Sequence, residues 1–336
     1  MTKFKIYKLR FTTPLHIGDE RADYGTSLQT IHSDTLYAAM TSVLAKIGYE
    51  IPNDGDFGFT ISSLFPYFQK KDEIPVYFLP KLKLQSIPDK ELQDDAKKIK
   101  KIEWLDVEFF NKQINGDKLF DKDFKTKLLE NGKYLTSNKI GKDFISKEVN
   151  PRVQVSRDFS KDAEPFYMER LYFKYQSGMY FIATGEDDKL KIVDLALNIL
   201  KDEGIGTDRT IGNGFFEFDT DEIELDLPKS NKLINLSLFL PENQDQIDEL
   251  LKGDDIAYDF QKRGGWITDS GLNTFRKNTV QMFSEASVFS YNSIVDTEFV
   301  IGKIVDLKPK LNYEHLKVQP HPIWRSGKSL FIPVKI

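Results

Sequence analysis

Leu190-Lys191-Ile192-Val193-Asp194-Leu195-Ala196-Leu197-Asn198-Ile199-Leu200-Lys201-Asp202-Glu203-Gly204-Ile205-Gly206-Thr207-Asp208-Arg209-Thr210-Ile211-Gly212-Asn213-Gly214-Phe215-Phe216-Glu217-Phe218 is the stretch on which the fold turns. Ile192, Val193, Leu195, Ala196, Ile199 and Leu200 fall at helical spacing over 190–200, and Gly204 stops the helix. Phe215, Phe216 and Phe218 open a strand. Between helix and strand lie four glycines, Gly204, Gly206, Gly212 and Gly214, within eleven positions. Such a loop turns with φ > 0 and lets a ligand approach the backbone closely. Its successive N–H groups are expected to form an anion-binding nest, with Arg209 at the middle to fork onto a phosphate. A dinucleotide fingerprint is excluded, because it needs a strand before the glycines and a helix after them. A Walker loop is excluded as well, because this loop ends Gly212-Asn213-Gly214 instead of Gly-Lys-Ser/Thr.

Working back toward the N-terminus, 166–175 and 178–184 read as a strand pair, and 148–157 as a strand before it. The opening segment, 3–12, is a strand with Phe4, Ile6, Leu9 and Phe11 apolar. A helix follows at 33–47: Leu36, Ala39, Met40, Val43, Leu44 and Ile47 share its spacing, Ser33 or Asp34 is the expected cap, and Gly48 the stop. The order strand, helix, strand, strand, helix, strand is the βαββαβ ferredoxin-like pattern that RNA-binding RRM domains share. It runs over 1–227, interrupted by an irregular, lysine-rich stretch at about 51–144 that reads as an insertion. A second unit, 228–336, starts with a strand at 233–240 and a helix at 242–251. Strands near 257–260, 280–289, 302–307 and 330–334 complete it, without a readable second helix. The expected class is α+β, two ferredoxin-like (RRM-like) domains with a large insertion in the first.

Composition removes other classes. The chain has 336 residues, enough for about two domains. With no cysteine there is no disulfide, no thiolate metal site and no thiol nucleophile, a usage that fits a reducing cytoplasm. The charged start Met1-Thr2-Lys3-Phe4-Lys5 is not a signal peptide, and no apolar run is long enough to span a membrane. The four histidines, His16, His32, His315 and His321, are not spaced as metal ligands, so neither metal nor cofactor is expected. The net charge of −5 argues at first against nucleic acid, but it is uneven. Residues 219–255 carry 11 acids against 3 lysines, so the remainder is basic. The acidic stretch is expected to face protein or solvent.

Nine cations are arginines among a majority of lysines, and the planar fork of arginine suits phosphate and bases. Arg21 lies in the first loop, 14–25. Arg152 and Arg157 flank Pro151-Arg152-Val153-Gln154-Val155-Ser156-Arg157, where a bent hairpin would aim both at one RNA strand. Arg263-Gly264-Gly265-Trp266 sets an arginine and an aromatic on flexible backbone, a platform for stacked bases, with a buried Trp266 as the equal alternative. His32 and Ser33 open a helix whose N-terminus favours an anion. Histidine there, or at His16, is also a general acid or base for RNA cleavage, but no lysine, tyrosine or second carboxylate is spaced to complete such a site.

Thr13-Pro14-Leu15-His16-Ile17-Gly18, Ile31-His32-Ser33-Asp34-Thr35-Leu36, Pro151-Arg152-Val153, the glycine loop and Trp324-Arg325-Ser326-Gly327-Lys328 together resemble the RAMP proteins of CRISPR systems. More closely, they resemble the subunit-four family of the type III-A Csm effector complex. The resemblance covers nearly the whole chain, and the helix-start and C-terminal motifs are its most specific parts. It implies a non-catalytic subunit that caps the 5′ handle of crRNA and docks the large polymerase-like subunit and an adjacent backbone RAMP subunit. Carried over by motif and texture, the expected RNA contacts are His16, Arg21, His32, Ser33, Arg152, Arg157, Gly204, Gly206, Thr207, Arg209, Gly212, Gly214, Arg263, Trp266 and Arg325. Asp208 departs from the pattern, an acid where a basic loop is expected. A metal-independent crRNA-processing endoribonuclease and a protein-only assembly scaffold remain the alternatives.

Overall fold

The computed structural model describes residues 1–18, 24–84, 90–121, 123–140, 143–155, 162–267, 272, 275–311 and 321–336. The opening strand Thr2–Phe11 is apolar on both faces, so it lies inside a sheet. It pairs antiparallel with Phe216–Leu225 on one side and with Gly178–Gly185 on the other. Phe65–Phe68 continues beyond Gly178–Gly185, followed by Val76–Pro80, Trp104–Asp106, Tyr134–Leu135 and Leu128–Leu129, while Phe59–Ile61 pairs with the far end of Gly178–Gly185.

Helices Ser33–Lys46 and Asp187–Glu203 pack against each other on the face of Tyr7, Leu9 and Phe11, where the Tyr7 hydroxyl reaches the Leu190 carbonyl. Asp187 and Asp188 suit the helix N-terminus electrostatically, and Gly204 ends that helix with φ +76°. The opposite face, with Ile6, Tyr180, Ile182 and Phe65, is also buried. Val76–Pro80 and helix Val107–Ile114 help cover it: Tyr77 stacks edge-on against Tyr180 at 4.9 Å and donates to Asp221, and Asn111 accepts from the Asp226 N–H. An RRM stacks bases on this face of its sheet; here protein fills it.

The second half builds a four-stranded antiparallel sheet in the order Val288–Val295, Ser230–Asn235, Ser329–Pro333, Phe299–Ile301. One face gives Ile234, Val288, Leu330 and Ile332 to the main core. The other holds its own cluster of Leu233, Phe239, Leu250, Phe283, Phe289 and Phe331.

Several sequence expectations shift. Phe59–Ile61 and Phe65–Phe68 belong to the central sheet, although they lie in the stretch read as an insertion. They are short and buried on both faces, so they carry no alternation to mark them. Ile145–Gln154 and Glu164–Phe173 alternate clearly because they form a separate, half-exposed two-stranded hairpin and not part of that sheet. The expected strand 280–289 divides at Ala286 (φ +58°) into Val280–Phe283 and Val288–Val295, which join different sheets. Among the described residues the second half has one helix, Gln244–Leu250, and its strand order is not that of a ferredoxin-like unit.

The acids of Phe216–Leu225 meet cations of the opening strand. Lys3 reaches Glu222 and Glu224, Lys8 reaches Asp219 and Asp221, and Arg10 reaches Glu217. Four of the eleven acids of 219–255 thus meet cations across one strand pair.

Candidate nucleic-acid interface

The glycine loop is stitched onto the first loop. The Thr207 N–H donates to the His16 carbonyl at 2.9 Å, Gly214 N–H to Pro14 at 2.8 Å, and Phe215 N–H to the Thr13 hydroxyl at 2.8 Å. Ile205 N–H closes the loop on the Gly214 carbonyl, and Gly212 and Asn213 donate back to Arg209 and Asp208. These N–H groups are occupied by the chain itself, so the expected open anion nest does not form from them. The glycines serve shape instead. A Cβ at Gly204 would lie 2.7 Å from the Asn213 oxygen, one at Gly206 2.5 Å from the His16 oxygen, and one at Gly214 would overlap the Ile205 carbonyl. Gly212 (φ +89°) faces open space. At the tip, Ile211 is 59 % exposed, and the half-buried Arg209 makes no hydrogen bond or ion pair among the described residues.

The hairpin joins the same surface. Leu15 and Leu171 exchange backbone hydrogen bonds, and Glu169 ties the hairpin to the first loop: its carboxylate accepts from Ser27 N–H and, within the hairpin, from Lys147, and its carbonyl from His16 Nδ1 at 2.6 Å. His16 is therefore buried and positions backbone; it is not a surface acid or base. Arg152 Nη1 meets Asp208 Oδ2 at 2.6 Å, which explains the acid in the loop. Val149, Val153 and Tyr167 lie on one face of the hairpin, 54 %, 57 % and 63 % exposed. Arg21 and Arg157 lie outside the described residues.

His32, Ser33, Arg263 and Arg325 are placed otherwise than expected. They clamp the two halves of the chain together. The Ser33 hydroxyl does not cap its helix; it accepts from Leu238 N–H, and Ser33 N–H donates to the Ser63 hydroxyl. Asp34, fully buried, accepts from Arg263 Nε at 2.9 Å, and Arg263 Nη2 donates to the Thr35 hydroxyl. Arg325 Nη1 donates to the Asp34 main-chain oxygen at 3.0 Å. His32 Nδ1 meets Glu285 Oε1 at 2.7 Å, and Ser63 donates to the same oxygen. Beside them Lys328 pairs with Asp56, and the Trp324 ring lies against Gly55. The helix-start and C-terminal motifs are thus in contact. Trp266 is half-buried, with the Arg276 guanidinium 5.0 Å over its ring. Nothing local in the sequence marks Ser63, Glu169 or Glu285, whose pairs Ser27–Glu169, Ser63–Glu285 and His32–Glu285 span 142 to 253 positions.

Charge in the clamp follows from its geometry. Burial favours a neutral Asp34, but Arg263 and Arg325 overcome it and hold the carboxyl at about 2. Burial likewise works against charged His32, yet Glu285 raises its pKa above the usual value. A raised folded-state pKa gives stability that is complete below the unfolded histidine value, roughly 6.5, and lost as pH rises through the folded value. Melting temperature is expected to fall across that window, and His32→Gln to flatten the fall. An unchanged pH profile in His32→Gln would remove the pair from the account.

The comparisons agree along the chain. The RAMP superfamily model matches residues 8–217 and the CRISPR Csm4 C-terminal domain model residues 228–334. The chain is 24 % identical over 354 residues to the CRISPR system Cms protein Csm4 of Streptococcus thermophilus, covering 99 % of each. It is 26 % identical over 250 residues to that of Thermococcus onnurineus (strain NA1), covering 70 % of this chain and 74 % of the relative. Its fold resembles a chain of the Csm3–Csm4 subcomplex in the type III-A CRISPR-Cas interference complex, with a TM-score of 0.62, 18 % identity and 100 % of both chains covered. It also resembles a chain of the Csm1–Csm4 cassette in complex with cA4, with a TM-score of 0.60, 19 % identity, and 100 % and 99 % covered. The chain belongs to the RAMP superfamily, and within it the matches run to Csm4.

Proposed function

We propose that this chain is a non-catalytic RNA-binding subunit of a type III-A CRISPR-Cas interference complex. In this role it caps the 5′ handle of crRNA and joins the large polymerase-like subunit to an adjacent backbone RAMP subunit. The observation that carries the proposal is the single surface made by the first loop, the hairpin and the glycine loop. It presents Arg209, Thr210, Ile211 and the exposed hairpin face, while the central sheet is filled on both sides. Arg209 supplies charge, Arg152 neutralises Asp208, and the exposed apolar groups suit splayed bases. His16, Gly204, Gly206 and Gly214 act by holding this surface in shape, with Thr207 tied in through its backbone. The partners follow the names of similar proteins, which occur as Csm3–Csm4 and Csm1–Csm4 assemblies. The buried His16 and the ion-paired His32 speak against cleavage chemistry.

On this reading 1–227 is a ferredoxin-like unit. Its strands 2–11, 59–68, 178–185 and 216–225 and two helices run βαββαβ, so the insertion moves to about 69–177. Residues 228–336 form the second domain.

Arg209→Ala removes a charge-assisted phosphate or base contact of about 1.5–3 kcal/mol, a loss of roughly tenfold to hundredfold in handle affinity, without changing the melting temperature. Handle protection by the isolated chain, measured with a melt, tests it. Wild-type protection in Arg209→Ala would reduce the loop to a connection.

A further inference from the structure

A cavity of about 590 Å³ opens between the two halves of the chain. Lys81, just past strand Val76–Pro80, and helix Ala96–Lys101 with the Trp104 that follows it form one wall. Asp259, Glu285 and Ala286 form the other. Lys83 bridges the two: its N–H donates to the Ala286 carbonyl at 3.0 Å, and its ammonium meets Asp259 at 2.8 Å. Leu82, Leu84, Ile99 and Trp104 make much of the lining apolar. Its charges do not balance. Each carboxylate of the cavity already has a partner: Asp259 in Lys83, Glu103 in Lys133 at 2.8 Å, and Glu285 in His32 at 2.7 Å and in the Ser63 hydroxyl. Two lysines of the cavity have no carboxylate. The Lys81 ammonium donates to the Ile99 carbonyl at 2.7 Å, a neutral acceptor, which places it next to the Lys100 main chain. Burial draws its amine down to about 8, with no anion to offset the pull. The exposed Lys100 ammonium makes no hydrogen bond or ion pair among the described residues.

We propose that this cavity binds a nucleotide, with the phosphate between Lys81 and Lys100 and the base against the apolar lining. A phosphate monoester carries about −1.5 to −2 charge near neutral pH, so it answers two ammonium groups where a carboxylate would answer one. The volume falls in the range of small-molecule sites, roughly 300–1,000 Å³, and is far more than a bare anion fills. The mainly apolar lining calls for an uncharged body on the ligand, and the Asp259 and Glu285 carboxylates accept from ribose hydroxyls or base amines. A free mononucleotide and the 5′-terminal nucleotide of an RNA offer the same chemistry. The cavity shares no residue with the glycine loop or the hairpin, so the inference goes beyond guide capping and does not depend on it.

The experiment is calorimetry on the full chain with the four nucleoside 5′-monophosphates. At least one is expected to bind, with its nucleoside and inorganic phosphate each about tenfold weaker or more. Lys81→Met and Lys100→Gln are each expected to weaken binding about tenfold to hundredfold. Ala96→Trp, which fills the cavity from its rim, is expected to abolish it. Lys97→Gln, on the same helix but outside the cavity, is the control for charge alone and should bind as wild type. Thermal melts check folding. Lys100 and Ala96 are exposed, so their variants keep the test open if Lys81→Met loses its bond to the helix end and unfolds. No binding of any of the four overturns the site, as does equal binding of the nucleoside or of inorganic phosphate. Wild-type binding in Lys100→Gln or Ala96→Trp overturns it as well. A 5′-phosphorylated trinucleotide identifies the source: binding as tight as the mononucleotide assigns an RNA end, and lost binding a free nucleotide. Loss of handle protection in Arg209→Ala with nucleotide binding intact separates this site from the glycine loop.

Discussion

Asp34→Ala is expected to destabilise the chain by about 3–5 kcal/mol, because it removes the buried carboxylate that Arg263 and Arg325 share. The loss falls at the seam between the halves, so the clamp around the helix start opens first. Denaturant unfolding with an intrinsic probe near the seam, Trp324 or Trp266, measures it. Asp34 also sets an acid limit. Its pKa of about 2 is below the unfolded value, so its contribution is complete above about pH 4 and lost as pH falls toward 2. A cost below about 1 kcal/mol for Asp34→Ala would mean that the arginines find other partners and the seam does not rest on this carboxylate.

Gly214→Ala is expected to abolish handle protection and cost about 2–4 kcal/mol. The new Cβ overlaps the Ile205 carbonyl and must adopt φ +75°. Either change breaks the Ile205–Gly214 closure and the Gly214–Pro14 bond that fasten the loop to the first loop. Gly212→Ala is the control: it meets only the backbone strain of φ +89°, about 1–2 kcal/mol, with open space around it. Equal effects of the two substitutions on protection and stability would show that the seal between the loops is immaterial.

The helices, the opening strand and the glycine loop were legible because each carries a local signal: apolar spacing, a terminal glycine, a run of phenylalanines. The role of the glycines was only half legible. Positive φ follows from residue type, but whether an N–H faces a ligand or the His16 carbonyl depends on a segment about 190 positions away. The helix start shows the same limit. His32, Ser33 and Asp34 have the texture of an anion site at a helix N-terminus, and the pattern does not say that the arginine and glutamate they meet come from the same chain. The second core strand carries no local signal because Phe59–Ile61 and Phe65–Phe68 are short and buried on both faces, whereas the hairpin alternates for being half in solvent.

The position of the opening strand bears on how the protein is made. Thr2–Phe11 is synthesised well before its two sheet partners, Gly178–Gly185 and Phe216–Leu225. At roughly 5–20 residues per second the ribosome needs about ten to thirty seconds to bring the nearer partner out. During that interval a strand apolar on both faces has neither of its neighbours. Such a segment invites pairing with other nascent chains, and long-range closure of this kind is slow. Lys3, Lys5, Lys8 and Arg10, interleaved with its apolar residues, keep like strands apart until the acids of Phe216–Leu225 arrive to match Lys3, Lys8 and Arg10. The same charges that join the finished sheet thus serve as gatekeepers while the chain is still emerging.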